Sequence, residues 1–145
     1  MRPMSVFAFG LVLAGTTALA HTGVKDPDVM ARMNGMKAMA EHTKTLGLMA
    51  RGTTAFDEAK AQAAIDSLRA ETARIPVLFA PESDDPKSEA LPTIWSDAPG
   101  FAKATEEMDS MLAGADVSSA QAISLTLRDM AQACSVCHES YREKN

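Results

Sequence analysis

Cys134 and Cys137 are the only cysteines in the 145-residue chain, and His138 follows the second one directly. The run Cys134-Ser135-Val136-Cys137-His138 has the C-x-x-C-H spacing at which two thiols add to vinyl groups on neighbouring edges of a haem. On a helix, positions 134, 137 and 138 fall within one turn and on one face. Both sulfurs can then hold the porphyrin while the imidazole rises to the iron from beneath. Covalent attachment would retain the cofactor in a compartment where lost haem is not recovered.

The same residues have other readings. Two cysteines in an exported chain form a disulfide by default. A haem-free thiol oxidoreductase of the thioredoxin type would use them as a redox dithiol, but that motif opens the first helix after a strand, and here it closes the last helix. A zinc site would have to borrow His21 or His42 and makes a poor cage. The histidine next to the second cysteine favours covalent haem c, with Cys134 and Cys137 as attachment points and His138 as iron ligand.

The first twenty residues read as a secretory signal. Arg2 gives a positive start, Val6 to Leu13 is a short apolar run, and Ala18-Leu19-Ala20 offers the small residues of a cleavage site. The apolar run is too short to span a bilayer. Residues 1–20 are therefore expected to be a cleaved signal peptide, and 21–145 a single domain in the periplasm with no stable membrane insertion. Loss of Arg2 takes the formal charge from −5 to −6. That balance argues against nucleic acid as a partner and suits a basic redox partner protein.

Aromatic residues make up only 5% of the chain, and ten methionines are present. A core built from Leu, Ile, Val, Met and Ala is small for this length, and a large apolar cofactor would help to fill it. Four helical segments and no convincing strand can be read. Asp26-Pro27 is a cap followed by Pro at the first helical position. Val29, Met33, Met36, Ala40 and Gly47 then share one side, with Gly52 as the stop. A second helix starts at Thr54 to Asp57 and repeats Ala61, Ala64, Ile65, Leu68, Thr72 and Ile75, with Pro76 near its end. A linker over about 80–97 carries several prolines and the acidic residues Glu82, Asp84 and Asp85. The third helix opens near Ser96 to Pro99, with Phe101, Ala104, Met108, Met111, Leu112 and Ala115 on its apolar side. The last runs from about Ser119 to Arg142, with the seam Ile123, Leu127, Met130, Ala131, Cys134, Cys137, His138 and Tyr141. Four such helices bury their apolar faces best as an all-α, antiparallel four-helix bundle.

A C-x-x-C-H site close to the C-terminus of a four-helix bundle resembles the cytochrome c prime family. The tail from Cys137 to Lys144 is similar to that family's ending, where an aromatic residue and an Arg follow the haem-binding His. Leu91 to Asp97 resembles its pre-helix stretch, and Arg32 with Met36 matches its first-helix pattern. The resemblance spans essentially all of 21–145.

The resemblance implies several roles. Arg32 would pair with a haem propionate. The residue four places on would face the distal side of the haem: a bulky apolar residue there leaves the iron five-coordinate and open to gases, and a Met binds it. Met36 in that position looks like the low-spin, electron-transferring branch, with no enzymatic role. Position alone does not separate Met36 from Met33, which lies about 60° away around the helix, and an open sixth site is the third option. The rival function within the same fold is a five-coordinate protein that binds nitric oxide or carbon monoxide. The family also implies pairing through the first two helices as an option for a homodimer, and places Arg142 near the proximal face. His42 is at the wrong height for a ligand. His21 has no second histidine placed to complete a copper site. Trp95 either lies against the haem edge or caps the end of the bundle.

Overall fold

The computed structural model describes residues 23–144. The expected signal peptide over residues 1–20, its expected cleavage point after Ala20, and His21 lie outside the described residues. The described residues form five helices: α1 (Pro27–Ala50), α2 (Glu58–Leu78), the single turn α3 (Thr93–Ser96), α4 (Ala98–Ala113) and α5 (Ala120–Tyr141). Among the described residues there is no strand, only an isolated antiparallel bridge between Ala90 and Arg142.

Local chemistry sets the helix ends. The Asp26 carboxylate accepts from the amides of Asp28 and Val29, both at 2.9 Å, and Pro27 needs no donor in that first turn. α1 ends where Gly52 takes φ +68°, which returns its amide to Met49 O at 3.0 Å. Asp57, Asp97 and Ser119 cap α2, α4 and α5 in the same way, accepting from Lys60, Gly100 and Ala122. Pro76 sits two residues from the end of α2 and does not break it. A proline removes one amide and crowds the preceding turn, which the last turn of a helix tolerates best.

The four long helices each pack against two neighbours, α1 on α2 and α5, and α4 on α2 and α5, which makes an antiparallel square bundle. Its two halves differ. A continuous buried core of Leu46, Met49, Ala61, Ala64, Ile65, Leu68, Met108, Leu112, Val117, Ile123 and Met130 fills one half. Cys134 packs at its edge. Beyond that level lie the start of α1, the end of α2, the start of α4 and the end of α5. There Met33, Met36, Leu78, Phe79, Phe101 and Cys137 are only half-buried.

The six positions read along α2 are its six buried residues. Three seam assignments need correction. Ala40 on α1 and both Ala131 and His138 on α5 are exposed. The apolar line of α1 passes instead through Leu46 and Met49, which are 0% and 2% exposed. The linker also holds α3, which the prolines of the sequence conceal. No helix of the described residues is long and apolar enough to cross a membrane.

Candidate haem site

Cys134, Cys137 and His138 lie in the last two turns of α5, ahead of its C-cap at Arg142. Both cysteines are free and half-buried. Burial pushes the Cys134 thiol up, and burial together with Cys134 pushes Cys137 up. A redox dithiol needs a thiolate stabilised by a helix N-terminus or a nearby cation. These thiols sit at the opposite, electronegative end of a helix and are shifted the other way, which counts against the oxidoreductase reading. Although His138 is exposed as a residue, partial desolvation holds its imidazole below the usual histidine range, Arg142 lowers it further, and Glu89 opposes this. The neutral ring that results is the form that ligates a metal. Among the described residues no three His, Cys, Asp or Glu side chains converge as a metal cage.

The end of α5 is held in place by the linker. Leu91 donates its amide to Tyr141 O at 3.0 Å, and Glu143 donates to Glu89 O at 2.8 Å. Arg142 Nε donates to Glu89 Oε2 at 2.7 Å. Both side chains are about half-exposed, so the ion pair alone contributes little; the backbone bridge and the buried Tyr141 ring do more. Tyr141 packs edge-on to Phe101, with ring centroids 5.2 Å apart, and Phe101 meets Phe79 at 5.3 Å. This aromatic ladder joins the ends of α5, α4 and α2.

Met33 and Met36 are both half-buried on α1. The observed burial pattern nevertheless ranks them. With the buried set Val29, Arg32, Gly35, Leu46, Gly47 and Met49 placed at about 100° per residue, Met36 lies about 50° from the mean inward direction and Met33 about 110°. Met36 is the methionine aimed more nearly at the bundle interior. His42 is half-buried elsewhere on the helix.

Arg32 lies on α1, one turn before Met36. It is 3% exposed and its guanidinium is taken up by backbone carbonyls. Nε donates to Leu78 O and Nη1 to Ser83 O, each at 2.9 Å, and Nη2 donates to Pro81 O. The carbonyls lie 46–51 residues away in sequence, so no local pattern announces them. Trp95 donates Nε1–H to Phe79 O at 2.8 Å, which makes it part of the closure of the bundle end.

These residues fit a haem. Two unpaired sulfurs and a neutral imidazole share one helix face, and they stand where the packed core gives way to half-buried Met, Leu and Phe side chains that a flat apolar ring would cover.

A family model described as Cytochrome C' matches residues 28–142. The chain is 34% identical to cytochrome c-554 of Cereibacter sphaeroides, over the full length of both. The structure is similar to that of cytochrome c' from Rhodobacter spheriodes, with a TM-score of 0.72 at 26% identity, covering 81% of this chain and 96% of that one. It is also similar to a nitric oxide complex of a cytochrome c prime variant from Alcaligenes xylosoxidans, with a TM-score of 0.70 at 26% identity, covering 81% and 94%.

Proposed function

The chain belongs to the cytochrome c' family, and from that premise we propose that it carries single electrons in the periplasm through one covalent haem c, with His138 and Met36 as axial ligands and no enzymatic turnover. When bound, haem supplies the one-electron iron couple. Cys134 and Cys137 hold it by thioethers, and His138 presents a neutral nitrogen. What supports the distal assignment is helical phase: at about 100° per residue, Met36 lies nearer than Met33 to the mean direction of the buried residues of α1. A thioether is a soft ligand that favours ferrous iron and raises the potential relative to a second imidazole. With haem bound, the half-buried apolar side chains at this end of the bundle would pack on the ring and limit water at the iron.

A second reading has a specific observation in its favour. The solved relatives include cytochrome c prime variants in complex with nitric oxide and with carbon monoxide. Those complexes favour an open sixth position and gas binding in this chain too, and these relatives lean further toward this reading than toward methionine ligation. The optical spectrum of the purified holo-protein in both oxidation states, with and without carbon monoxide, separates the two. Low-spin spectra with slow carbon monoxide uptake support the electron carrier; a high-spin ferric spectrum with fast uptake supports the gas binder.

A further inference from the structure

We propose that Arg32 is a positioning residue that sets access to the sixth coordination position by fixing the turn of α1 that carries Met36. The inference rests on the haem reading above but not on Met36 being the ligand. A buried guanidinium needs its charge and its donors satisfied. Arg32 meets this with Leu78, Pro81 and Ser83, three carbonyls from the end of α2 and the chain just after it. Leu78 is the last residue of α2, so a cation there also offsets the negative end of the helix dipole. The guanidinium carbon lies 5.0 Å from the Phe79 ring centroid and 5.3 Å from that of Trp95, at distances suited to a planar cation. Ser83 also donates its hydroxyl to Asp28, one turn earlier on α1, at 2.7 Å.

α1 and the segment from Leu78 to Ser83 therefore move as one piece at this level. Met36 is the next turn along, roughly 6 Å further up the helix. Gly35 between them lets α1 approach α2 closely, since a Cβ there would stand 3.2 Å from Leu78 Cδ1. Loosening Arg32 frees the Met36 turn, whether that methionine binds iron or only screens it. Lysine cannot replace the planar fork: it keeps the charge but not three divergent donors between two rings.

The test measures carbon monoxide association and ferric spin state in holo-protein, with circular dichroism as a check on folding. Arg32→Lys is expected to speed association about tenfold, the equivalent of roughly one charge-assisted contact. In a Met36→Ala background, with no side chain left to position, the same change should do less than about twofold. Trp95→Phe removes the Nε1 donor to Phe79 O and alters the ring against Arg32 while leaving every residue of α1 in place; it should shift the rate in the same direction and stands in if Arg32→Lys does not hold haem. A lower Tm with an unchanged association rate in both variants would make the role purely structural and overturn the proposal. A wild-type protein that is already high-spin defeats methionine ligation alone; the association rates of Arg32→Lys and Trp95→Phe then still decide for or against Arg32.

Discussion

The Tyr141 hydroxyl donates to the Asp97 carboxylate at 2.8 Å. Asp97 is at the same time the N-cap of α4, where it accepts from Gly100 N. The residue three places past His138 is thus tied to the start of the neighbouring helix. Burial, and then the Asp97 contact, raise the Tyr141 pKa above its ordinary 10.0. A phenol whose folded pKa is raised stabilises the fold fully below the unfolded value and loses that contribution as pH climbs toward the folded one. The resistance of wild type to denaturant should therefore fall above about pH 10, and Tyr141→Phe should be less stable at pH 7 and show a shallower alkaline decline. Parallel pH profiles for the two proteins would contradict this.

Gly100 makes that contact possible. A Cβ on it would stand 2.6 Å from the Tyr141 hydroxyl and 2.2 Å from Asp97 Oδ2. Alanine gains helix propensity, yet it must push apart the pair that caps α4. Gly100→Ala should lower Tm by about 4 °C or more. A Tm equal to or above wild type in a thermal melt would show that the pair can shift without loss.

Asp85 is the corresponding acid-side test. Its carboxylate is 5% exposed and accepts amides from Lys25 at 2.8 Å, Lys87 at 2.9 Å and Asp26 at 3.2 Å. The Lys25 and Lys87 amides hold its pKa below the usual carboxylate range, against the opposing effect of burial. A depressed carboxylate stabilises above its unfolded pKa and loses the contribution as pH falls through the folded one. Asp85→Asn should be clearly less stable than wild type at pH 7 and pH 5, with the gap closing below about pH 4. A gap that persists unchanged at pH 3 assigns the effect to shape and not to charge.

Covalent attachment is checked by extraction. Haem should stay with the protein through acid–acetone treatment and be released when Cys134 and Cys137 are both replaced by Ala. The apo-protein should melt well below the holo-protein, because the half of the bundle beyond Cys134 has no continuous core of its own and cavities cost stability in proportion to their volume. Wild-type haem that extracts freely would remove the basis of the whole site.

Features written in neighbouring residues are legible in the sequence alone. Caps at Asp26 and Asp57, the Pro27 start, the Gly52 stop and the C-x-x-C-H run are local codes, and the helices begin and end within a residue or two of them. Periodicity locates the buried side of α2, where apolar residues recur at short spacing. It fails at Ala40 and Ala131, because alanine fits a core or a surface equally well, and at His138, which is exposed. α3 is a single turn, too short for a periodic signal. Arg32 and Trp95 escape a reading of this kind because their partners are carbonyls. Those carry no side-chain signature and lie 46–51 residues away for Arg32 and 16 away for Trp95.

Met36 decides between the two functional readings, and paired substitutions test it. If its sulfur closes the sixth position, both oxidation states are low-spin, and electron transfer needs little ligand rearrangement. Carbon monoxide must then displace a thioether and binds slowly. Met36→Leu keeps an apolar side chain of similar volume but has no donor, so the ferric spectrum should turn high-spin, the potential should fall, and carbon monoxide association should rise by at least about tenfold, the equivalent of roughly 1.4 kcal/mol. Met33→Leu is the control, because its position about 110° from the inward direction of α1 keeps its sulfur off the bundle axis. It should leave spin state and association rate unchanged. The reverse pattern, with Met33→Leu opening the site and Met36→Leu silent, would move the ligand one turn toward the N-terminus. A wild-type ferric spectrum that is high-spin from the start makes the gas-binding reading the correct one for this chain, with Met36 then a bulky screen over an open iron.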